Sequence, residues 1–168
     1  RPVTLFDTQE LPTRNAAQIA VVPSPRSLAA PLRKRATRAD LFALAASEEA
    51  LRDAGLEPGA LDPARCGVAM GAGAGGMLET ESYWFARLAR GLGRARLSRA
   101  WGFFPSAGTD LLAAHFGFEG YTTTIMTACS SSTIAIGLAG EAIRAGAADV
   151  VLAGGAEALC RLTFAGFC

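Results

Sequence analysis

Of the four cysteines in this 168-residue chain (Cys66, Cys129, Cys160 and Cys168), one has neighbours that suggest chemistry. Cys129 follows the β-branched run Thr122-Thr123-Thr124-Ile125-Met126-Thr127 and precedes Ser130-Ser131-Ser132, then a stretch of small apolar residues through Gly140. The first run reads as a strand and the second as a helix, so Cys129 falls at a strand-to-helix turn. The first N–H groups of a helix have no partners within it, and with the helix dipole they favour a thiolate or a developing oxyanion. Taken by itself, Cys129 is either a nucleophile or one more buried structural cysteine.

Two other patterns compete for chemistry. Gly71-Ala72-Gly73-Ala74-Gly75-Gly76 follows a short apolar strand and satisfies the spacing of a dinucleotide-binding loop. No acidic residue stands about 20 positions beyond Gly76 to hold a ribose. Arg94, Arg96 and Arg99 occupy that region and would suit a 2′-phosphate in an oxidoreductase. The glycines equally allow close backbone approach at the mouth of a site. His115 is the one histidine and the one candidate to activate a thiol as a base. It sits mid-helix beside Phe116, where a structural or surface role is expected. The cysteines form no CxxC pair and no metal-ligand spacing with it, so no metal site is expected.

The elements that must position Cys129 follow from punctuation and periodicity. A helix is expected from Thr37 or Asp40 to Ala54, with Ala43, Leu44, Ala50, Leu51 and Ala54 on one face and Gly55 as its terminator. Within it, Glu48 and Arg52 have the spacing of an ion pair. Cys66 to Gly71 reads as a strand, and Met77 to Arg90 as a helix closed by Gly91, with Tyr83, Trp84 and Phe85 as packing residues. Thr109 is the expected N-cap of a helix over Asp110 to Phe116, ended by Gly117. After the Cys129 turn, the helix from Ser130 to Ala145 is apolar on all sides and is expected to be buried all round. Val150 to Ala153 is the next strand. Strands alternating with helices predict an α/β layered domain with a largely parallel sheet.

Composition bounds the partners. A 51% hydrophobic content supplies one domain with a core, and a net charge of +1 gives no overall attraction to nucleic acid or an anionic membrane. The N-terminus lacks the layout of a signal peptide, no apolar run is long enough to span a bilayer, and the few scattered cysteines suit a reducing compartment. A soluble, cytoplasmic protein is expected. The first 35 residues are proline-rich and end in Arg33-Lys34-Arg35, a basic cluster that is either simply solvated or meets an acidic partner.

Several separated segments together resemble the β-ketoacyl synthases of fatty-acid and polyketide assembly, which have the thiolase-like fold. These are Thr127-Ala128-Cys129-Ser130-Ser131-Ser132, Ala148-Asp149-Val150-Val151-Leu152-Ala153-Gly154-Gly155-Ala156-Glu157-Ala158, Arg35-Ala36-Thr37-Arg38 with Ala50 to Leu56, and Cys66 to Gly71. The resemblance implies that Cys129 is the acyl-accepting nucleophile of a decarboxylative Claisen condensation needing no bound cofactor. It implies acyl and malonyl thioesters as substrates, an acidic acyl carrier protein as partner, and a homodimer or a heterodimer with a related subunit. A non-catalytic partner subunit of the same fold is the alternative, although there the nucleophile is usually replaced. The implied fold is a layered αβαβα arrangement of two similar halves, each with a five-stranded mixed sheet in the order 3-2-1-4-5. Residues 1–168 then correspond to a partial N-terminal half holding strands two to four, without the first strand or the C-terminal half. The missing first strand is expected to leave facing, unpaired edges between strands two and four. The family's two catalytic histidines come from the C-terminal half, and His115 matches neither. Where the family's common pattern is Pro-Asn followed by small residues, this chain reads Pro105-Ser106-Ala107-Gly108, a departure in the region that lines the acyl pocket.

Overall fold

A computed structural model of the chain describes residues 1–23, 25, 27–91 and 97–168. Three parallel strands form the sheet: β1 (Cys66–Gly71), β2 (Thr122–Ile125) and β3 (Val150–Gly155), in the order β2-β1-β3. Parallel neighbours need crossover connections, and helices supply them. The helices in chain order are α1 (Ala30–Arg33), α2 (Arg38–Asp53), α3 (Met77–Arg90), α4 (Ala107–Phe116), α5 (Ser131–Arg144) and α6 (Arg161–Gly166), of which α3 and α4 lie between β1 and β2 and α5 between β2 and β3.

The period-2 alternation of β1 explains the layering. Cys66, Val68 and Met70 point to one side, where Leu44 and Leu51 of α2, Leu111 and Leu112 of α4, Phe118 and Leu152 complete the main core. Val68, Leu44 and Leu112 are fully buried, each worth about 1.5–3 kcal/mol. Gly67, Ala69 and Gly71 point to the other side, where α5 packs closely through Ala135 and Ala139 against Ala69 and Ile125. Large residues on one face and small ones on the other thus set a thick layer and a thin one.

The expected gap in the sheet is absent. β1 pairs directly with β3 from Cys66↔Val150 to Gly71↔Gly155, and with β2 from Val68↔Thr122 to Gly71↔Ile125. Both edges of β1 are therefore satisfied by neighbouring strands, so the cost expected of facing unpaired edges does not arise. β2 lies at a sheet edge, as its place in the expected order required.

Several local expectations are corrected. α4 starts at Ala107 rather than Asp110, and Thr109 lies inside its first turn, 1% exposed, with its hydroxyl 2.7 Å from that of Thr124 on β2. A hydroxyl with a partner on the sheet is free to sit within the helix instead of capping it. Glu48 reaches Ser27 Oγ and His115 Nε2, at 2.9 and 3.7 Å, across to neighbouring elements rather than along its own helix to Arg52. Tyr83 is buried, but Trp84 and Phe85 are about half exposed. Trp84 joins Thr80, Leu97, Trp101, Phe103 and Phe104 around an apolar cleft of about 380 Å³. α5 is buried on one face only: Ser131, Ala135, Ala139 and Ala142 meet the sheet, while Ile134, Ile136, Leu138 and Ile143 are exposed. The small residues face the sheet because β1 there presents only Gly67, Ala69 and Gly71, which let the helix approach closely.

α2 starts on a cap that the sequence reading did not name. Thr37 accepts from the Asp40 N–H and Asp40 accepts from the Thr37 N–H, a reciprocal capping box. Among the described residues no helix is long and apolar enough to cross a membrane.

Candidate active site

The strand-to-helix turn forms as expected. β2 ends at Ile125, Met126 and Thr127 leave the sheet, Ala128–Ser130 make a 3₁₀ turn, and α5 begins at Ser131. Ala128 has φ +54°, and among the described residues it is the sole non-glycine with a positive φ. A residue with a Cβ pays on the order of 1–2 kcal/mol to sit in the left-handed region, and such strain persists where the surroundings over-determine it. Here the surroundings are hydroxyls. The Thr127 N–H donates to Ser131 Oγ at 2.9 Å, Ser131 Oγ donates to the Ala128 carbonyl at 2.8 Å, and Ser130 Oγ donates to the Thr127 carbonyl at 2.9 Å. Cys129 stands exposed at the tip of this fastened turn, immediately before the first turn of α5.

The turn is seated on the sheet by close backbone approach. A Cβ on Gly71 would lie 2.3 Å from the Ser132 nitrogen and 2.5 Å from the Ser131 carbonyl carbon, so glycine is what lets α5 start against the end of β1. The Ala72 N–H continues the ladder to the Ile125 carbonyl at 2.9 Å, and Ser131 Oγ lies 3.5 Å from the Ala72 carbonyl oxygen. The exits of β1 and β2 and the first turn of α5 are thus one bonded unit.

The glycine loop beyond β1 is already filled. Glu157, two residues beyond β3, places its carboxylate among the loop's N–H groups. Oε1 accepts from Gly73 and Ala74 at 2.6 and 3.0 Å, and Oε2 accepts from Ala74 and Gly75, both at 3.1 Å. Successive N–H groups of this kind form an anion-binding concavity, and here the anion is internal. The donors a dinucleotide pyrophosphate would need are engaged, which removes the structural basis of the nucleotide reading. Arg94 and Arg96 lie outside the described residues, and Arg99 ends a 3₁₀ turn, Leu97–Arg99.

His115 takes no part in the turn. It lies on α4, with its ring edge-on to Phe116 and Nε2 3.7 Å from the Glu48 carboxylate. Cys66 and Cys160 are 1% and 0% exposed, and burial pushes the Cys66 thiol up from its ordinary range. Cys168 is exposed, with Sγ 3.1 Å from the Phe164 carbonyl oxygen. Away from the turn, Asp40 and Glu79 form a pair of carboxyls raised above the usual range, first by burial, with Asp40 adding to the rise at Glu79. Glu79 Oε1 accepts from the Arg38 N–H at 2.8 Å, while the buried Oε2 has no hydrogen-bond partner among the described residues.

Sequence reading located Cys129 but not the residues that fix it. Ser131 was one of three adjacent serines, with nothing to distinguish the one that folds inward. Ala128 carried no sign of a positive φ. Glu157 was visible only as an acidic residue after a paired glycine, and its partners are 82–84 positions earlier.

The α subunit of the tetracenomycin polyketide synthase ketoacyl synthase from Streptomyces glaucescens is 32% identical over 165 residues, covering 94% of this chain and 38% of that protein. A solved ishigamide ketosynthase/chain length factor superposes with a TM-score of 0.85 at 27% identity, over 99% of this chain and 42% of that one. A type II polyketide ketosynthase, solved in complex with its acyl-carrier protein and bound to the hexaketide, gives a TM-score of 0.74 at 30% identity, over 82% of this chain and 40% of that one. The chain thus spans about two fifths of the length of the relatives it matches. Residues 24–168 match the family model described as the β-ketoacyl synthase N-terminal domain, and the chain belongs to that family.

Proposed function

We propose that the protein is a working β-ketoacyl synthase of polyketide or fatty-acid assembly, in which Cys129 accepts the acyl group. The observation that carries this reading is the turn itself: an exposed thiol held between a strained Ala128 and the first turn of α5, by hydroxyls that leave the thiol unencumbered. Cys129 attacks the carbonyl of an acyl thioester, and the carrier thiol leaves as the S-acyl bond forms. The Cys129 N–H stabilises the negative charge that develops on the carbonyl oxygen. A malonyl thioester then loses CO₂, its carbanion attacks the acyl carbon, and the Cys129 thiolate leaves from the β-ketoacyl product.

The partner is an acyl carrier protein, met in part through the exposed basic residues Lys34 and Arg35, and a second subunit joins at the β2 edge. The setting is the cytoplasm, where a thiol stays reduced. His115, engaged with Glu48, leaves the 168-residue chain without a free histidine to promote decarboxylation. Such assistance contributes about 10² to 10⁴ in rate, so this chain alone is expected to condense at background.

The test is formation of β-ketoacyl product from acyl and malonyl carriers by the protein expressed from its full coding sequence. Cys129→Ala is expected to abolish product. Condensation that survives this substitution would refute the reading, as would a wild-type protein that forms no product.

A further inference from the structure

We infer that Glu157 is a positioning residue for Cys129, acting through the glycine loop rather than on substrate; this rests on the acyl-transfer reading above. Its carboxylate gathers the N–H groups of Gly73, Ala74 and Gly75 within 2.6–3.1 Å. A carboxylate that accepts several backbone N–H groups makes short, charge-assisted bonds, about twice as strong as neutral ones. The loop so held begins one residue after Ala72, whose carbonyl faces Ser131 Oγ and whose N–H is bonded to Ile125. On the Glu157 side, Gly155 packs against the Gly71 carbonyl oxygen and Ser132 Cβ, at 3.0 Å from where its own Cβ would stand. Glu157 therefore ties the exits of β1 and β3 together across the point where α5 begins. Without it, three N–H groups of this exposed loop lose their carboxylate acceptor, and the Gly71-Ala72 segment that seats Ser131 and Ser132 loses its clamp.

The chemistry dictates an order among variants. Glu157→Gln retains one oxygen for the Gly73 and Ala74 N–H groups but turns an NH₂ toward Gly75. Glu157→Asp is one methylene too short to reach the loop. Glu157→Ala empties the concavity and leaves a hole of carboxylate size and charge preference.

The experiment is single-turnover acylation of Cys129 by an acyl thioester, in the protein expressed from its full coding sequence. Glu157→Ala should lower the rate at saturating thioester about ten- to hundredfold, the scale of an ångström-level misplacement. The half-saturating concentration should change little. Glu157→Gln should fall between Ala and wild type. Added formate, which can occupy the emptied concavity, should restore the Ala variant several-fold, whereas chloride at equal ionic strength should not.

Hydrogen exchange at the Gly73, Ala74 and Gly75 amides gives a readout independent of catalysis. These amides should be protected in wild type, exposed in Glu157→Ala, and protected again by formate. If the Ala variant does not fold, the Gln variant carries the same comparison. Wild-type acylation by Glu157→Ala overturns the proposal, and so does a deficit that formate leaves unchanged while Gln equals Ala. A wild-type protein that takes no acyl group sinks the acyl-transfer reading alone. The alkylation rate of Cys129 by iodoacetamide, measured in the same variants, then decides whether Glu157 positions the thiol.

Discussion

Replacing Gly71 with alanine tests the seat of the Cys129 turn with a single added methyl. That methyl would stand 2.3 Å from the Ser132 nitrogen and 2.5 Å from the Ser131 carbonyl carbon. Ordinary contact begins near about 3.5 Å, so the start of α5 and the end of β1 must part by about 1 Å. Neither side can yield by rotating a side chain, because both are backbone. Overpacking of this kind costs about 1–3 kcal/mol, offset by roughly 0.4–1 kcal/mol from the lower entropy of the unfolded alanine chain. The net expectation is a destabilisation of about 1–2 kcal/mol, read as a lower urea midpoint at unchanged slope. A shift of about 1 Å at the reacting group should also slow Cys129 acylation by about a hundredfold. Gly59→Ala is the control, since nothing lies within 4 Å of its added Cβ, and both quantities should stay near wild type. If Gly71→Ala matches the control in midpoint and rate, α5 is not seated by that contact and the reasoning fails.

Three further outcomes follow from the same structure. One equivalent of iodoacetamide should modify Cys129 ahead of buried Cys66 and Cys160 and, because Cys129 stands at the start of α5, ahead of exposed Cys168; equal labelling of all four by peptide mapping would contradict the assignment. Burial raises the folded-state values of Asp40 and Glu79, so the unfolded chain ionises first and stability is lost as pH rises from the ordinary carboxylate value through each raised one. Asp40→Asn with Glu79→Gln should therefore flatten the urea-midpoint profile above the ordinary carboxylate range, and a double variant as pH-sensitive as wild type would count against the buried pair. β2 carries neither Lys nor Pro at a sheet edge, which invites pairing with a second copy or a related subunit. Analytical ultracentrifugation at micromolar concentration should find a dimer, and a persistent monomer would overturn that expectation.

The chain announces its local architecture well. Gly55, Gly91, Gly117 and Gly146 each have positive φ and follow helices that end where their positions indicated, because the left-handed turn after a helix is a local steric demand. The strand at Cys66–Gly71 is local in the same sense. What escaped the sequence depends on residues far apart. Direct β1–β3 pairing joins Cys66 to Val150, and nothing within either strand specifies its neighbour. The exposed outer face of α5 follows from which side meets the thin face of the sheet, while apolar composition alone implied burial all round. Thr109 has the chemistry of a cap, and only its distance to Thr124 assigns it elsewhere. At the site, the place of Cys129 at a strand-to-helix turn was legible, because the β-branched run before it and the small apolar run after it are local signals. Its supports, Ala128, Ser131 and Glu157, were not, because backbone strain and long-range hydrogen bonds leave no local signature.

The most direct measurement is the location of the acyl group. The protein is mixed with an acyl thioester in the absence of malonyl donor, digested, and mapped by mass spectrometry. The account predicts the acyl mass on the peptide that contains Cys129, at up to one equivalent, and its loss in Cys129→Ala. An adduct on Cys66, Cys160 or Cys168 instead, or acylation that persists without Cys129, would contradict it.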